Sequence, residues 1–284
     1  MTNPDFSVII DGLRNNLVVP YLGPGVLFDV KSKLNGMPIP ADSDSLILSM
    51  NGGKPMAPKL MYEFPRAAMN QELKRGRSFV SQFLDKTYRD SKWTKASFHT
   101  WLAAQKPHYI IDINRDTQLQ DVYADVKHTL IVGLARITGT DFRFKLYQYD
   151  NQNYAEITQE QVDPALPILF KPMGTPKPES NYIASDADYV DYITELMGGF
   201  GIPRFLKEYR KGKKYLLIGL PLNRDSERMV MSDISYDADE HRGWFLRKHP
   251  TDKERRFAAR IGFELIEAEC QDFLAAVEEN AAAA

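Results

Sequence analysis

The chain has 284 residues, of which 36 are basic and 38 acidic, so its formal net charge at pH 7 is −2. Hydrophobic residues make up 43% and charged residues 26%, as in soluble globular proteins, which excludes a disordered or fibrous chain. The near-neutral charge argues against a general nucleic-acid-binding protein, because phosphate contacts require a surplus of basic residues. The single cysteine, Cys270, excludes an intrachain disulfide and a zinc site built from several thiolates.

The N-terminal residues 1–5 lack the basic start and the long apolar stretch of a signal peptide. No apolar run in the sequence approaches the roughly 20 residues that a membrane helix requires. A chain with one cysteine is typical of a reducing compartment. The sequence therefore predicts a cytoplasmic protein without membrane segments.

Short apolar runs recur along the chain and predict buried strands. The runs occupy residues 17–22, 109–111, 166–170, 215–218 and 263–266. Apolar residues stand at odd and even positions alike, which is the pattern of a parallel sheet covered on both faces.

A sixth stretch, residues 141–149, alternates polar and apolar residues and predicts a half-exposed strand. Segments of helical length lie between the strands. One of them begins with a Ser-x-x-acid cap at Ser185 and Asp188 and ends at Gly198. Strands that alternate with helices predict an α/β fold, with a Rossmann-like, doubly wound, mostly parallel sheet.

Residues 41–105 contain several helical patterns and no convincing strand, so we expect a helical insertion after the first strand. There is no internal repeat and no low-complexity linker. The sequence predicts one domain over residues 1–284, with residues 41–105 as an insertion subdomain.

The first predicted strand runs directly into Gly23-Pro24-Gly25. Glycines at the carboxyl edge of a parallel sheet let the backbone approach a pyrophosphate, so this turn is a candidate phosphate loop. An ordinary turn is the alternative, and Pro24 removes one hydrogen-bond donor from a phosphate cradle.

Polar residues follow the second strand in Asp112-Ile113-Asn114-Arg115-Asp116. Ligand-binding groups of open α/β sheets lie at such strand ends. As an alternative, Asn114 or Asp116 caps the following helix.

Two later strands also end in glycine turns, over residues 170–175 and 218–225. In the second turn Gly219 follows the strand, and Asp225 could reach a ribose hydroxyl or serve as a helix cap. Four strand ends of this kind indicate a ligand site at one edge of the sheet.

In their order along the chain, these motifs resemble those of bacterial sirtuin-like proteins, in the branch without deacetylases. Residues 22–26 resemble the Gly-Ala-Gly loop that holds the NAD pyrophosphate, and residues 112–116 the Thr-Asn-Tyr-Asp element that orients the nicotinamide ribose and the attacking water. Residues 169–174 resemble the Lys-x-His-Gly element. Residues 217–221, with Asp225, resemble the Gly-Tyr-Ser…Asp element near the adenosine.

The resemblance implies NAD as the cofactor and assigns site residues by position. The catalytic candidates are Asn114 and Asp116. The cofactor-binding candidates are Gly23, Pro24, Gly25, Val26, Asn114, Gly174, Gly219, Leu220 and Asp225.

Two departures from the family pattern change the expected activity. Sirtuin deacetylases carry a four-cysteine zinc ribbon, which one cysteine cannot build, so we expect no lysine deacetylation and no metal site. Met173 stands where NAD-cleaving members have the histidine that serves as general base, and a thioether cannot accept a proton at neutral pH.

None of the five histidines is an evident replacement for this base. His99 lies in the predicted insertion, where a structural hydrogen-bonded role is favoured. His108 precedes a strand, at the opposite edge of the sheet. His128, His241 and His249 adjoin charged residues and are predicted at the surface.

Three functions therefore remain open. The favoured one is a sirtuin-like protein that binds NAD, ADP-ribose or a related nucleotide with impaired catalysis, as a sensor or a partner-binding module. The second is an active NAD glycohydrolase (NADase) in which Asn114 positions the water. The third is a structural or assembly protein that binds no nucleotide and acts through a protein partner or as a homo-oligomer.

Overall fold

The computed structural model describes residues 6–138 and 142–283, with side chains up to Glu279. The strands in these residues are β1 (Val18–Leu22), β2 (Tyr109–Asp112), β3 (His128–Gly133), β4 (Phe144–Tyr149), β5 (Tyr154–Ile157), β6 (Ile168–Lys171), β7 (Gly174–Thr175), β8 (Asn181–Tyr182), β9 (Lys214–Ile218), β10 (Gly243–Leu246) and β11 (Phe263–Ile266). The helices are α1 (Ser7–Arg14), α2 (Ser43–Met50), α3 (Phe64–Arg75), α4 (Arg77–Asp85), α5 (Ser97–Gln105), α6 (Gln118–Val122), α7 (Asp186–Met197), α8 (Arg204–Tyr209), α9 (Asp225–Ile234), α10 (Asp252–Ile261) and α11 (Cys270–Ala283).

Nine strands form one central sheet in the order β11-β10-β9-β1-β2-β6-β3-β4-β5. The pairs from β11 through β3 are parallel, and only β4 and β5 pair in antiparallel fashion. The protein thus has the Rossmann-like α/β fold with a mostly parallel sheet. A separate two-stranded hairpin of β7 and β8 follows β6.

The order of the strands reverses between β1 and β9. In the sheet, β2, β6 and β3 lie on one side of β1, and β9, β10 and β11 lie on the other side. Such a reversal leaves a crevice at the carboxyl ends of the two strands, because the connections after them lead to opposite sides. The turns after β1 and β9 lie at this point.

Both faces of the sheet are covered, as the mixed parity of the apolar runs predicts. In β1, Val18 and Leu22 belong to one buried cluster, whereas Val19 and Tyr21 belong to the other. The first cluster includes side chains of α1 to α5 and α11, and the second those of α7 to α10. The core therefore consists of two apolar layers separated by the sheet.

Between β1 and β2 lie a 3₁₀ turn at Pro24–Leu27, the helices α2 to α5 and a π-helical turn at Lys86–Asp90. Asp188 of α7 connects α4, in this helical part, to the segment that follows β3 of the sheet. Its carboxylate accepts hydrogen bonds from the backbone N–H groups of Ala184 and Ser185, both at 3.0 Å. It also pairs with Arg77 of α4 and, at 2.7 Å from Nε, with Arg136 after β3.

The predicted runs at residues 17–22, 109–111, 166–170, 215–218 and 263–266 are confirmed as β1, β2, β6, β9 and β11. The predicted start of α7 is also confirmed, since Ser185 and Asp188 form a capping box. The strand predicted at 141–149 is β4, although its first residue, Asp141, lies outside the described residues.

The surface position predicted for His128 is wrong. His128 begins β3 and is fully buried, with Nε2 at 2.7 Å from the Tyr154 hydroxyl. The charged residues next to His128 in the sequence suggested a surface position. All six residues of β3 are buried, however, because the strand is covered on both faces. The strand β10 was also not predicted from the sequence.

Within the described residues, no helix is both long enough and apolar enough to cross a membrane.

Replacing Asp188 by alanine tests the link between α4 and the sheet. We expect Asp188→Ala to lower the free energy of unfolding by about 3 kcal/mol or more, because two arginines and two N–H groups lose their acceptor. Asp186→Ala is the matched control, because it removes the same charge from the same helical turn at a cost of about 1 kcal/mol or less. Urea unfolding measures both values, and equal losses would contradict the connecting role of Asp188.

Candidate functional site

The parallel strands bring most of the predicted residues to one edge of the sheet. Gly23 to Gly25 follow β1, Asn114 follows β2, Met173 follows β6, and Gly219 and Leu220 follow β9. They meet there because the carboxyl ends of parallel strands point the same way.

The two glycine turns at the reversal of strand order touch each other through their backbones. The N–H of Gly25 donates to the carbonyl of Gly219 at 2.9 Å. A Cβ on Gly23 would lie 2.6 Å from that carbonyl oxygen, and a Cβ on Gly219 would lie 2.7 Å from the Val26 nitrogen. The glycines are therefore required for the contact between the turns, whether or not a ligand is present.

The backbone donors of the first turn are used within the protein. Gly23 N donates to the Ile218 carbonyl at 2.9 Å, and Val26 N donates to the Gly23 carbonyl at 3.2 Å. In this conformation the turn offers a ligand close approach to its backbone and few free N–H groups. Pro24 has no N–H group, and those of Gly23, Gly25 and Val26 are already used, so the whole turn has few donors for a phosphate.

Asn114 is held in one orientation. Its side-chain Nδ2 donates to the Gly23 carbonyl at 3.0 Å and to Asp112 Oδ1 at 2.8 Å, and its backbone N–H donates to the same Oδ1 at 3.0 Å. Its Oδ1 has no hydrogen bond to any described residue. The amide therefore presents an acceptor to the adjoining cavity and could orient a water molecule or a ribose hydroxyl.

Asp112 is held in turn by a buried ion pair. Lys171, at the end of β6, lies 2.8 Å from Asp112 Oδ2, and both side chains are inaccessible to solvent. His99 of α5 lies 3.6 Å from the same oxygen. Burial alone would raise the pKa of Asp112, but Lys171 and His99 outweigh it and hold the pKa well below its usual range.

Asn114 and Met173 border a small cavity, which we call the Asn114 cavity. Its volume is about 60 Å³, enough for a few water molecules and far below the roughly 300 Å³ of small ligand sites. None of the five histidines borders it; all five lie in the described part of the chain. The expected general base is therefore missing from this cavity in structure as well as in sequence.

The Asn114 cavity has a carboxyl group that the sequence analysis missed, that of Glu227 in α9. Burial raises its pKa to about 8, with Glu63 adding to the shift and Arg224 opposing it. Its Oε2 is shielded from solvent and has no hydrogen-bond partner among the described residues. A single sequence does not show which glutamate of a helix faces a cavity and which faces solvent, so Glu227 could not be identified from it.

A larger cavity of about 420 Å³ lies beside the two glycine turns, and we call it the loop cavity. Pro24 and Gly25 of the first turn and Gly219 and Leu220 of the second border it. Arg247, just after β10, adds a positive charge. This volume is in the range of small-molecule sites, and the position is the strand-order reversal where such folds bind ligands.

Glu269, Cys270 and Gln271 also line the loop cavity. Neither these residues nor Arg247 were predicted from the sequence. They approach β1 only because β10 and β11 extend the sheet on that side. Burial raises the pKa of the Cys270 thiol above its usual range, so this cysteine remains protonated.

Four predicted residues lie elsewhere. Asp225 is exposed at the start of α9 and pairs with Arg228. Gly174 packs in the β7–β8 hairpin, and Val26 is part of the core. Asp116 is buried and borders a different cavity, and burial, together with Asp112, raises its pKa.

A larger cavity, of about 820 Å³, lies against β4 and β5. Its lining is mainly apolar and includes none of the predicted site residues. Among the described residues, no group of three or more His, Cys, Asp or Glu side chains could hold a metal ion.

Replacing Gly219 by alanine tests the contact between the glycine turns. Gly219 and Gly212 both have positive φ, +71° and +65°, but only Gly219 has neighbours within 4 Å of an added Cβ. We expect Gly212→Ala to cost about 1–2 kcal/mol through backbone strain, and Gly219→Ala about 1–3 kcal/mol more through the clash. Thermal unfolding of the two variants measures the difference, and equal costs would show that the turns do not touch.

Comparison with known proteins places this geometry in a family. A family model described as the SIR2-like domain matches residues 108–266, more than half of the chain. No curated protein matches the chain. The matched region contains β2, β6, β9 and β10, and with them Asn114, Met173, Gly219 and Arg247. The chain belongs to the SIR2-like domain family.

Proposed function

We propose that the protein binds a nucleotide of the NAD or ADP-ribose type in the loop cavity, with impaired cleavage, and acts as a sensor or a partner-binding module. SIR2-like domains are related to NAD, which makes this ligand class the natural one. The observation that carries the proposal is the pairing of an open loop cavity with an Asn114 cavity that has no imidazole base.

The loop cavity can hold the adenosine diphosphate part of the ligand. Gly25 and Gly219 leave its wall without side chains, so a pyrophosphate can approach the backbone. Since the N–H groups of the first turn are used, the compensating charge comes from Arg247, whose Nε lies 3.5 Å from Glu254. A guanidinium group can donate two parallel hydrogen bonds to two oxygens of one phosphate.

The Asn114 cavity does not fit a nicotinamide riboside in this conformation, because its volume is only about 60 Å³. Met173 is 2% exposed and packs where a base would stand. Because the loop cavity is large enough for a ligand and the Asn114 cavity is not, we expect the adenosine part to bind without efficient cleavage. Asn114 would then contact the end of the ligand through its free Oδ1.

Calorimetric titration with NAD and ADP-ribose, followed by an assay of free nicotinamide, tests the proposal. We expect both ligands to bind without nicotinamide release. Arg247→Gln should weaken binding by about tenfold, the usual effect of removing one charged phosphate contact. Arg255→Gln is the matched control, since Arg255 also pairs with a glutamate, Glu267, but lies outside the cavity. Failure of both ligands to bind would contradict the proposal and favour an assembly role.

A second candidate function, slow NAD glycohydrolysis, is favoured by one observation. Glu227 places an ionisable group with a pKa of about 8 in the same cavity as Asn114, in the range required of a general acid or base. Nicotinamide release in the assay would support this function. Loss of that release in both Asn114→Ala and Glu227→Gln would assign it to this cavity.

The raised pKa of Glu227 also predicts how stability depends on pH. Between the usual glutamate pKa, near 4.5, and about 8, the carboxyl is neutral in the folded protein and ionised in the unfolded chain. Its contribution to stability is therefore complete below pH 4.5 and is lost as pH rises to 8, by up to about 1.4 kcal/mol per pH unit.

Glu227→Gln should remove this loss, so the variant gains stability relative to the wild type from pH 5 to pH 8. Urea unfolding at both pH values measures the change. Glu278→Gln, at an exposed position of α11, should show no such trend. A Glu227→Gln variant that behaves like this control would show that Glu227 ionises normally.

A further inference from the structure

The wall of the Asn114 cavity includes a cationic residue, Arg115. Arg115 follows Asn114 in the loop after β2 and is only 8% exposed. Its guanidinium carbon lies 5.4 Å from the centre of the Phe64 ring, and its Nη2 lies 3.3 Å from the Tyr189 hydroxyl. Because Phe64 and Tyr189 also border the cavity, the guanidinium group lies at the cavity wall.

Arg115 has no acidic partner in the described part of the chain. Its Nε and Nη2 donate to the Ile183 carbonyl at 2.9 Å and 2.5 Å. Its Nη1 donates to no described residue, and this atom is not shut off from solvent. Arginines that are buried this deeply are normally paired with an anion, so the missing partner points to a ligand.

The three acidic residues of the same lining do not supply the missing partner. Asp42 caps α2 through its carboxylate. Glu63 pairs with Arg66 at 3.6 Å. Glu227 is mostly neutral at pH 7, because burial raises its pKa to about 8. At neutral pH, Arg115 is therefore the charged group of this lining that lacks a counter-ion.

The hydroxyl of Tyr189 supplies a second donor beside Arg115. It accepts the Nη2–H of Arg115, and its own O–H has no acceptor among the described residues. A guanidinium N–H and a phenol O–H can together bind the oxygens of an anion, and guanidinium groups are well suited to phosphate. The cavity volume of about 60 Å³ is comparable with the size of one phosphate group, although it is too small for a nicotinamide riboside.

We propose that Arg115 and Tyr189 form a subsite for a phosphate group at the ribose end of the nucleotide, in which Arg115 Nη1 and the Tyr189 hydroxyl donate to the phosphate oxygens. This inference rests on the proposed function, and it adds a phosphate on the terminal ribose to the ligand class. Asn114 Oδ1, which is an acceptor, then suits a hydroxyl of that ribose. A free phosphate ion beside bound ADP-ribose offers the same chemistry from another source.

Calorimetric titration of the full chain at pH 7 tests the subsite. It compares ADP-ribose with ADP-ribose that carries a phosphate on the anomeric carbon of its terminal ribose. We expect the phosphorylated ligand to bind about tenfold more tightly, the usual effect of one charge-assisted contact. Equal affinities would overturn the subsite and leave the proposed nucleotide site intact. Failure of both ligands to bind would overturn the proposed function and this inference with it.

Titration of ADP-ribose in excess sodium phosphate, with sodium chloride of equal ionic strength as the control, identifies the source of the phosphate. A higher affinity for ADP-ribose in phosphate than in chloride would support the subsite with the free ion as its ligand. A gain for the phosphorylated ligand alone would support a phosphate that belongs to the nucleotide.

Arg115→Met removes the positive charge and keeps a side chain that fills much of the same space. We expect the tenfold ratio between the two affinities to fall to about one, whatever the variant does to the binding of ADP-ribose itself. A purely structural role of Arg115 would leave this ratio unchanged, and that result would overturn its part in the subsite.

Tyr189→Phe tests the second donor with little change in packing. We expect the ratio between the two affinities to fall about threefold, the usual effect of one neutral hydrogen bond. Tyr192→Phe is the matched control, because it removes a hydroxyl from the same helix at a residue that does not border the cavity. Equal ratios in the two variants would overturn the role of Tyr189.

Discussion

The buried ion pair between Asp112 and Lys171 is the interaction on which the site depends. It joins the ends of β2 and β6 at 2.8 Å, and the same carboxylate holds the backbone and the amide of Asn114. Removing one partner of such a pair leaves a buried charge uncompensated, at a cost of about 3–5 kcal/mol. Because Asn114 also donates to Gly23, the pair fixes three strand ends at once and determines which atom of Asn114 faces the cavity.

The glycine turns are needed for the fold itself, because they allow close backbone contact between the turns after β1 and β9. The reversal of strand order at β1 and β9 brings two turns to the same point, and side chains there would collide. Bare backbone at the contact also leaves the wall of the loop cavity open. Under the proposed function, a nucleotide site could persist without its catalytic half, because the features that keep the loop cavity open are also needed for folding.

Six of the nine strands of the central sheet (β1, β2, β4, β6, β9 and β11) were predictable from the sequence, and so was the edge at which the predicted residues meet, since apolar runs and the polar residues after them are local signals. What could not be predicted depends on contacts between distant segments. Asp225 matched the family pattern but faces solvent, whereas Glu227, two residues later on the same helix, borders the Asn114 cavity. Arg247 was not predicted and His128 was expected at the surface for a similar reason, because the packing of β10 and β3 decides what their side chains contact.

A crystal structure of the protein with ADP-ribose would test the assignment of the loop cavity most directly. We expect the pyrophosphate to lie against Gly25 and Gly219 and within hydrogen-bond distance of Arg247, with the Asp112–Lys171 pair unchanged. The terminal ribose should point toward Asn114 Oδ1. An empty loop cavity at saturating ligand, or the nucleotide bound elsewhere on the protein, would contradict the account.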